Sequence, residues 1–227
     1  MRHFLQELEE LQQKLLEMSG LVESSIHESV LALTQRRARR VETVRANETR
    51  INRLEIAIDE LATRLLALQQ PIAGDLRFIT AAIKINTDLE RMGDLAVNIA
   101  QRALVLIEKP HMNAFVDIPR MAALTQDMLR KCLDAFVQRD PDLAREVLLS
   151  DDEVDSLRTA VQENLIEYMQ KDPASIAEGV GLILISRHLE RIADHATNIA
   201  EDTLFLVKGV DVRHRAEESV SPQPYSR

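Results

Sequence analysis

Apolar residues recur three and four positions apart along most of the chain, which is the spacing of helices with one buried face. From about His3 to Gln35, the residues Phe4, Leu8, Leu11, Leu15, Met18, Val22, Ile26 and Val30 mark one long helix, only mildly interrupted by Gly20. Val41, Val44, Ile51, Leu54, Ile58, Leu61, Leu65 and Leu68 form a second run that ends at Pro71, because the residue before a proline is pushed out of the helical region. A third run starts near Asp75, passes through Leu76, Ile79, Ile83, Leu89 and Ile99, and closes near Lys109 and Pro110. After a connector from Glu108 to Ile118, Met121, Leu124, Met128, Cys132 and Phe136 mark a fourth helix. Asp140 followed by Pro141 fits the N-cap and first position of a fifth, which runs through Val147, Val154, Val161 and Leu165 towards Asp172 and Pro173. A sixth ends near Gly209, and the polar, Pro- and Ser-containing segment 210–227 is expected to be a disordered tail. The pattern predicts an all-α chain of two similar three-helix bundles, 1–109 and 118–209.

The two halves are related by an internal repeat. DLERMGDLAVNIA, from Asp88 to Ala100, returns as HLERIADHATNIA from His188 to Ala200. Duplication alone preserves the apolar pattern and lets polar positions drift, so the matched set Glu90, Arg91, Asp94 and Asn98 carries the information. On a helix, Glu90, Asp94 and Asn98 lie along one face, where like charges four apart weaken an isolated helix. A cost met in both copies, beside apolar residues such as Leu89, Met92 and Ile99, points to a cation at that face.

If the second and third helices form an antiparallel hairpin centred on Pro71, Glu90 faces Asn52 and Asp94 faces Glu48. Around the turn between Asp172 and Pro173, Glu190 faces Asp155 and Asp194 faces Asp151. Each half then gathers two polar pairs: Glu48, Asn52, Glu90 and Asp94 in the first, Asp151, Asp155, Glu190 and Asp194 in the second. Three or four carboxylates crowded at a helix interface do not all stay ionised without cations. Oxygen-rich sets of this kind suit divalent or trivalent metal ions such as Mg, Mn, Fe, Zn or Ca, with room for more than one ion per site. The plainer alternative is a solvated acidic face paired with Arg91 and Arg191. Glu55 and Asp59 form another such pair, but they mirror Thr87 and Ile83 and read as surface charges or outer-shell groups. His188 and His195 flank the second copy only and read as polar-face residues.

Composition narrows the classes. With 45% hydrophobic residues, 29% charged, 3% aromatic and no tryptophan, the chain suits bundles packed with Leu, Ile, Ala and Met. A formal net charge of -9 argues against nucleic acid as a partner, since phosphate neutralisation needs a basic surface. The single Cys132 excludes an intramolecular disulfide and fits a reducing compartment. No run of eighteen apolar residues occurs and the first segment lacks a signal-peptide core, so the expectation is a cytoplasmic protein that reaches a membrane only through partners. Enzymatic motifs are missing: there is no phosphate-cradling loop or nucleophile elbow, and the one Glu-x-x-His, Glu108 to His111, holds Pro110 and sits in the connector. A metal-dependent helical enzyme, a carboxylate-bridged oxidase or a phosphohydrolase, is the alternative from another class, and a purely structural scaffold is a third. The basic segment Arg36 to Arg40 reads as a solvated helix junction.

The segments QQPIAGDLR (69–77), DLERMGD (88–94), DDEVD (151–155), HLERIAD (188–194) and LVKGVDVRH (206–214) together resemble the phosphate transport accessory PhoU family over nearly the whole chain. The resemblance implies a cytoplasmic, non-enzymatic protein that binds metal clusters through paired acidic motifs and dimerises. It also implies repression of the phosphate-starvation response, by contact with the phosphate importer's ATPase subunit and a membrane sensor histidine kinase, and modulation of phosphate uptake. The family's motifs fall on Glu90, Asp94, Glu190, Asp194, Asp151 and Asp155. Asn52 departs from the acidic pattern and leaves the first site one carboxylate short.

Overall fold

The computed structural model describes residues 2–109 and 117–209. The expected connector residues 110–116 and the tail 210–227 lie outside the described residues. Within them the chain is six long helices: α1 (Arg2–Thr34), α2 (Arg40–Gln69), α3 (Ala73–Ile107), α4 (Ile118–Gln138), α5 (Pro141–Lys171) and α6 (Ile176–Lys208), with one 3-10 turn, Pro173–Ser175, between the last two. The all-α fold class and the order of elements follow the hydrophobic pattern. Gly20 does not interrupt α1, and α3 and α4 begin at Ala73 and Ile118, ahead of the first apolar markers. Asp140 caps α5 as its sequence requires, its carboxylate accepting from the amides of Asp142 and Leu143 with Pro141 at the first position. Gln70, before Pro71, leaves the helical region through the left-handed conformation (φ 44°, ψ 58°). Gly209 ends α6 in the same conformation, at no Cβ cost.

The three helices of each half pack on one another, and the halves are joined through α3 against α6 and α1 against α4. One hydrophobic core therefore runs through both, from Leu11, Met18 and Ile58 to Met128, Val161 and Leu189. A smaller cluster, Val41, Val44, Val97, Ala100 and Ala103, closes the end near the α1–α2 turn. The central pair α3 and α6 is antiparallel: Arg77 Nε donates to Leu206 O (3.3 Å), and Lys84 Nζ meets Asp202 Oδ1 (2.7 Å). His195 Nδ1 lies 2.8 Å from Asp88 Oδ1, and Asn198 Nδ2 donates to the same oxygen (3.3 Å). Gly181 lies where these helices approach closely: a Cβ there would meet Leu106 Cδ2 at 2.7 Å, and that side chain would have to shift.

The buried residues define how the halves correspond. In α3 and α6, Ile85 and Ile185, Leu89 and Leu189, Met92 and Ile192, and Ile99 and Ile199 repeat 100 positions apart. In α2 and α5 the interval is 103: Val41 and Ala144, Val44 and Val147, Ile51 and Val154, Ile58 and Val161. The second hairpin is thus three residues tighter, and its 3-10 turn stands where α3 has its first turn. Gly93 packs against Ile51, an added Cβ falling 3.1 Å from Ile51 Cδ1; the equivalent positions in the second half are Ala193 and Val154. A methyl group missing from one helix is supplied by the other.

This exchange predicts coupling between the two positions. Gly93→Ala should crowd Ile51 and so fall short of the roughly 1 kcal/mol that Ala gains over Gly inside a helix, and Ile51→Val should open a small void costing about 1 kcal/mol. The double variant should be at least as stable as the parent, with a coupling of about 1 kcal/mol in a denaturant double-mutant cycle. Simple additivity would refute the compensation.

Candidate metal centres

The acidic residues sit at the edges of helix stripes whose centres are fully buried. Leu89, Met92 and Ile99 on α3, and Leu189, Ile192 and Ile199 on α6, are wholly excluded from solvent. Glu90, Asp94 and Glu190 lie one position from this stripe and are half-buried, while Asp194 is exposed at its rim. Because α2 packs on α3 and α5 on α6, the facing helices present Glu48 and Asp151, both half-buried, and Asn52 and Asp155, both exposed.

In the second half Asp151, Glu190 and Asp194 are each raised by burial and by the charge of other expected carboxylates. Asp151 is pushed up to about 6, first by burial and then by Asp194, Asp155, Asp152 and Glu190. Burial, Asp194 and Asp155 raise Glu190, against the guanidiniums of Arg158 and Arg187. Burial and Asp155 raise Asp194, against His195 and Arg191. The four residues that the sequence arithmetic sets at one height are thus within electrostatic reach of one another here. The arithmetic missed Arg158, whose Nε lies 3.8 Å from Glu190 Oε1 while its Nη1 donates to Gln162 Oε1 (3.3 Å).

The first half is arranged differently. Glu90 is raised by burial, then by Asp94, with which it shares a hydrogen bond, and by Glu55; Arg91, whose Nε lies 3.5 Å away, opposes them. Glu55, read from the sequence as a surface or outer-shell charge, is an α2 carboxylate whose charge reaches Glu90. Its neighbour is Asn86, fully buried, whose Nδ2 donates to Glu55 O (3.0 Å) and Asp59 Oδ1 (2.9 Å) and whose Oδ1 is buried without a partner. Asn198, matched to Asn98, turns instead to Asp88 in the α3–α6 seam. The signal that would have found Glu55 is the interval of 103 between α2 and α5, which aligns it with Arg158.

As donors, these groups fit a hard cation: they are oxygen ligands, partly desolvated and mutually repelling. Their side chains stand apart, and among the described residues no three His, Cys, Asp or Glu are gathered into a metal-holding arrangement. No helix among the described residues is long and apolar enough to cross a membrane.

A family model described as the PhoU domain matches the chain twice, over residues 15–103 and 118–203. A Pseudomonas putida protein named phosphate-specific transport system accessory protein PhoU homolog is 42% identical over 215 residues, spanning 94% of this chain and 84% of its own. An Aquifex aeolicus protein of the same name is 39% identical, spanning 92% and 95%. The crystal structure of PhoU from Pseudomonas aeruginosa superposes with a TM-score of 0.88 at 39% identity, over 91% of this chain and 100% of that one. The phosphate transport system regulatory protein PhoU from Streptococcus pneumoniae gives 0.85 at 33% identity, over 92% and 99%.

Raised carboxylate pKa values make the metal-free protein lose stability as pH rises. The folded state holds protons that the unfolded chain releases near 3.8, so the contribution is fully present below that value and is lost as pH climbs through about 6. Asp151→Asn should flatten this dependence and, in the presence of chelator at pH 7.5, stabilise the protein by about 1 kcal/mol after allowance for solvent screening, or roughly 2–4 °C. Thermal melts by circular dichroism from pH 4 to 8 check it. An unchanged or lower melting temperature at pH 7.5 would show that Asp151 is not under charge strain.

Proposed function

The chain belongs to the PhoU family, and from that membership we propose that it is a non-enzymatic regulator of the phosphate transport system, acting by protein contact and binding metal at its paired acidic motifs. The observation that carries the reading is the double match of the PhoU domain, with relatives named as accessory proteins of phosphate-specific transport along nearly the whole chain. Long helices offer broad surfaces for partners, here the importer's ATPase subunit, a phosphate-responsive sensor histidine kinase and a second copy of the chain. In this reading the protein works in the cytoplasm and meets the membrane through those partners. It keeps the phosphate-starvation response silent when phosphate is plentiful.

Metal enters this proposal through the carboxylates. Asp151, Asp155, Glu190 and Asp194 would hold a hard cation in the second half, and Glu90 and Asp94 in the first, where the ion would relieve charge repulsion and tie facing helices together. Nothing in either set suggests turnover. The imidazoles of His188 and His195 belong to the second copy alone, and no nucleophile accompanies both.

Two measurements test the reading. Metal content of protein purified without chelator or affinity metal should fall sharply when Asp94→Ala and Asp194→Ala are combined; unchanged content would point to adventitious binding. In a strain lacking the gene and any second family member, a starvation-gene reporter should stay on in high phosphate. Normal repression there would sink the regulatory assignment.

A further inference from the structure

The turn that joins α1 to α2 carries Arg36, Arg37, Arg39 and Arg40 in a chain whose formal net charge is -9, and the structure divides these guanidiniums into two kinds. Arg36 and Arg40 are committed to the fold. Arg36 Nη2 donates to Ile107 O (2.5 Å) and to Lys109 O, closing the end of α3. Arg40 Nη1 donates to both carboxylate oxygens of Glu28 on α1 (2.7 and 3.0 Å), and its Nη2 donates to Gln35 Oε1 (3.0 Å). Arg37 and Arg39 are exposed, and their guanidiniums make no ion pair or hydrogen bond among the described residues. With Arg40 they line a cavity of about 630 Å³ that also takes in Thr43, Ala46 and the carboxylates of Glu28 and Glu42. Glu28 is answered by Arg40, which leaves Arg37 and Arg39 against Glu42 alone.

Cations are costly at this point of the fold. The helix α2 starts at Arg40, its N-cap Arg39 makes no side-chain cap bond, and the positive end of a helix dipole favours anions. The second half solves the same problem with its own acids. At the α2/α5 interval of 103, Asp140 and Asp142 stand where the first half has Arg37 and Arg39, and Asp140 caps α5 by accepting from the amides of Asp142 and Leu143. The first half thus lacks the carboxylate and gathers guanidiniums instead. All four basic residues of the turn are Arg and none is Lys, and the planar guanidinium fork matches the oxygens of a phosphoryl group. The cavity has the size of a small-ligand site, but no aromatic ring lines it, so recognition there rests on charge and hydrogen bonds.

We infer that the α1–α2 turn is a binding site for a phosphoryl anion, held by the guanidiniums of Arg37 and Arg39 at the start of α2, with Arg40, fixed by Glu28, as the rigid part of the wall. A free phosphate compound and the headgroup of an anionic phospholipid present the same oxygens to it. The site shares no residue with the acidic motifs and needs no metal ion.

Two probes separate the sources. Sodium pyrophosphate is titrated calorimetrically into the full-length protein with chelator present, and vesicles of phosphatidylcholine with or without phosphatidylglycerol are sedimented with it. Pyrophosphate binding identifies a free phosphate ligand, and binding to phosphatidylglycerol vesicles alone identifies a lipid headgroup. In either case Arg37→Gln combined with Arg39→Gln should weaken binding at least about tenfold, since charge-assisted hydrogen bonds are lost at both. Glu42→Gln, which removes the opposing charge, should tighten binding about threefold, a gain that no damaged variant would give. Arg145→Gln, an exposed change at the counterpart of Glu42, should leave it within twofold and controls for bulk charge. Binding of neither probe would overturn the inference, and capture of a hexaglutamate peptide in their place would make the turn a dock for an acidic protein segment. An affinity unmoved by the double substitution, lowered by Glu42→Gln, or equally weakened by Arg145→Gln would overturn it as well.

Discussion

The packing of α3 on α6 is the contact on which the other elements depend, because these two helices are shared by both halves of the core. Each carries a buried apolar stripe along most of its length. Leu89, Met92, Ala96 and Ile99, like Leu189, Ile192, Ala196 and Ile199, are fully buried, and the core they belong to passes from one half to the other. Burial of about ten such side chains is worth on the order of 15–30 kcal/mol before conformational entropy is charged against it. That reserve lets the helices carry polar groups at their margins that no isolated helix would favour. It also fixes where those groups point, since a helix anchored along one stripe has no freedom to rotate.

The acidic motifs use that margin. A carboxylate placed next to a buried stripe is partly desolvated, and one placed four residues from another carboxylate repels it, so both effects favour the protonated or cation-bound form. The second half carries this furthest, with Asp151 at about 6. In the first half the strain is concentrated on Glu90, and Arg91 at 3.5 Å relieves part of it. Fold and site are thus one energetic system: the apolar core supplies the free energy that keeps the charges together.

Much of this is legible in the chain. Helix identity follows from apolar spacing, the α5 start from Asp140 and Pro141, and the second acidic quartet from reflection about a turn. Reflection assigns pairs because two antiparallel helices rise equally from a tight connection, so equal distances along the chain become equal heights. In both halves the residue one turn further along, Glu55 in the first and Arg158 in the second, also bears on the α3 or α6 glutamate. Reflection assigns heights along a hairpin and says little about rotation around each helix, and rotation decides which of two residues one turn apart faces inward. Arg158 is hidden for another reason: a basic residue on a helix reads as solvent-facing until burial is known. The shared core could not be read from periodicity, which reports that a face is buried and not what buries it.

The antiparallel crossing of α3 and α6 has a consequence for how this chain can change. Because the two helices derive from one repeat, exchanging each residue for its counterpart 100 positions away turns the pair Asp88 and His195 into His188 and Leu95, and the pair Lys84 and Asp202 into Leu184 and Arg102. The seam has the geometry of an isologous homodimer contact, yet the Asp88–His195 and Lys84–Asp202 links have no like-for-like counterpart across the pseudo-axis. In a true dimer of half-length chains every substitution would appear twice, and a favourable Asp–His pair would be matched by its mirror image. Fusion into one polypeptide removes that obligation. Each half is free to specialise against a partner it can never lose, with an effective concentration set by covalent linkage rather than by supply.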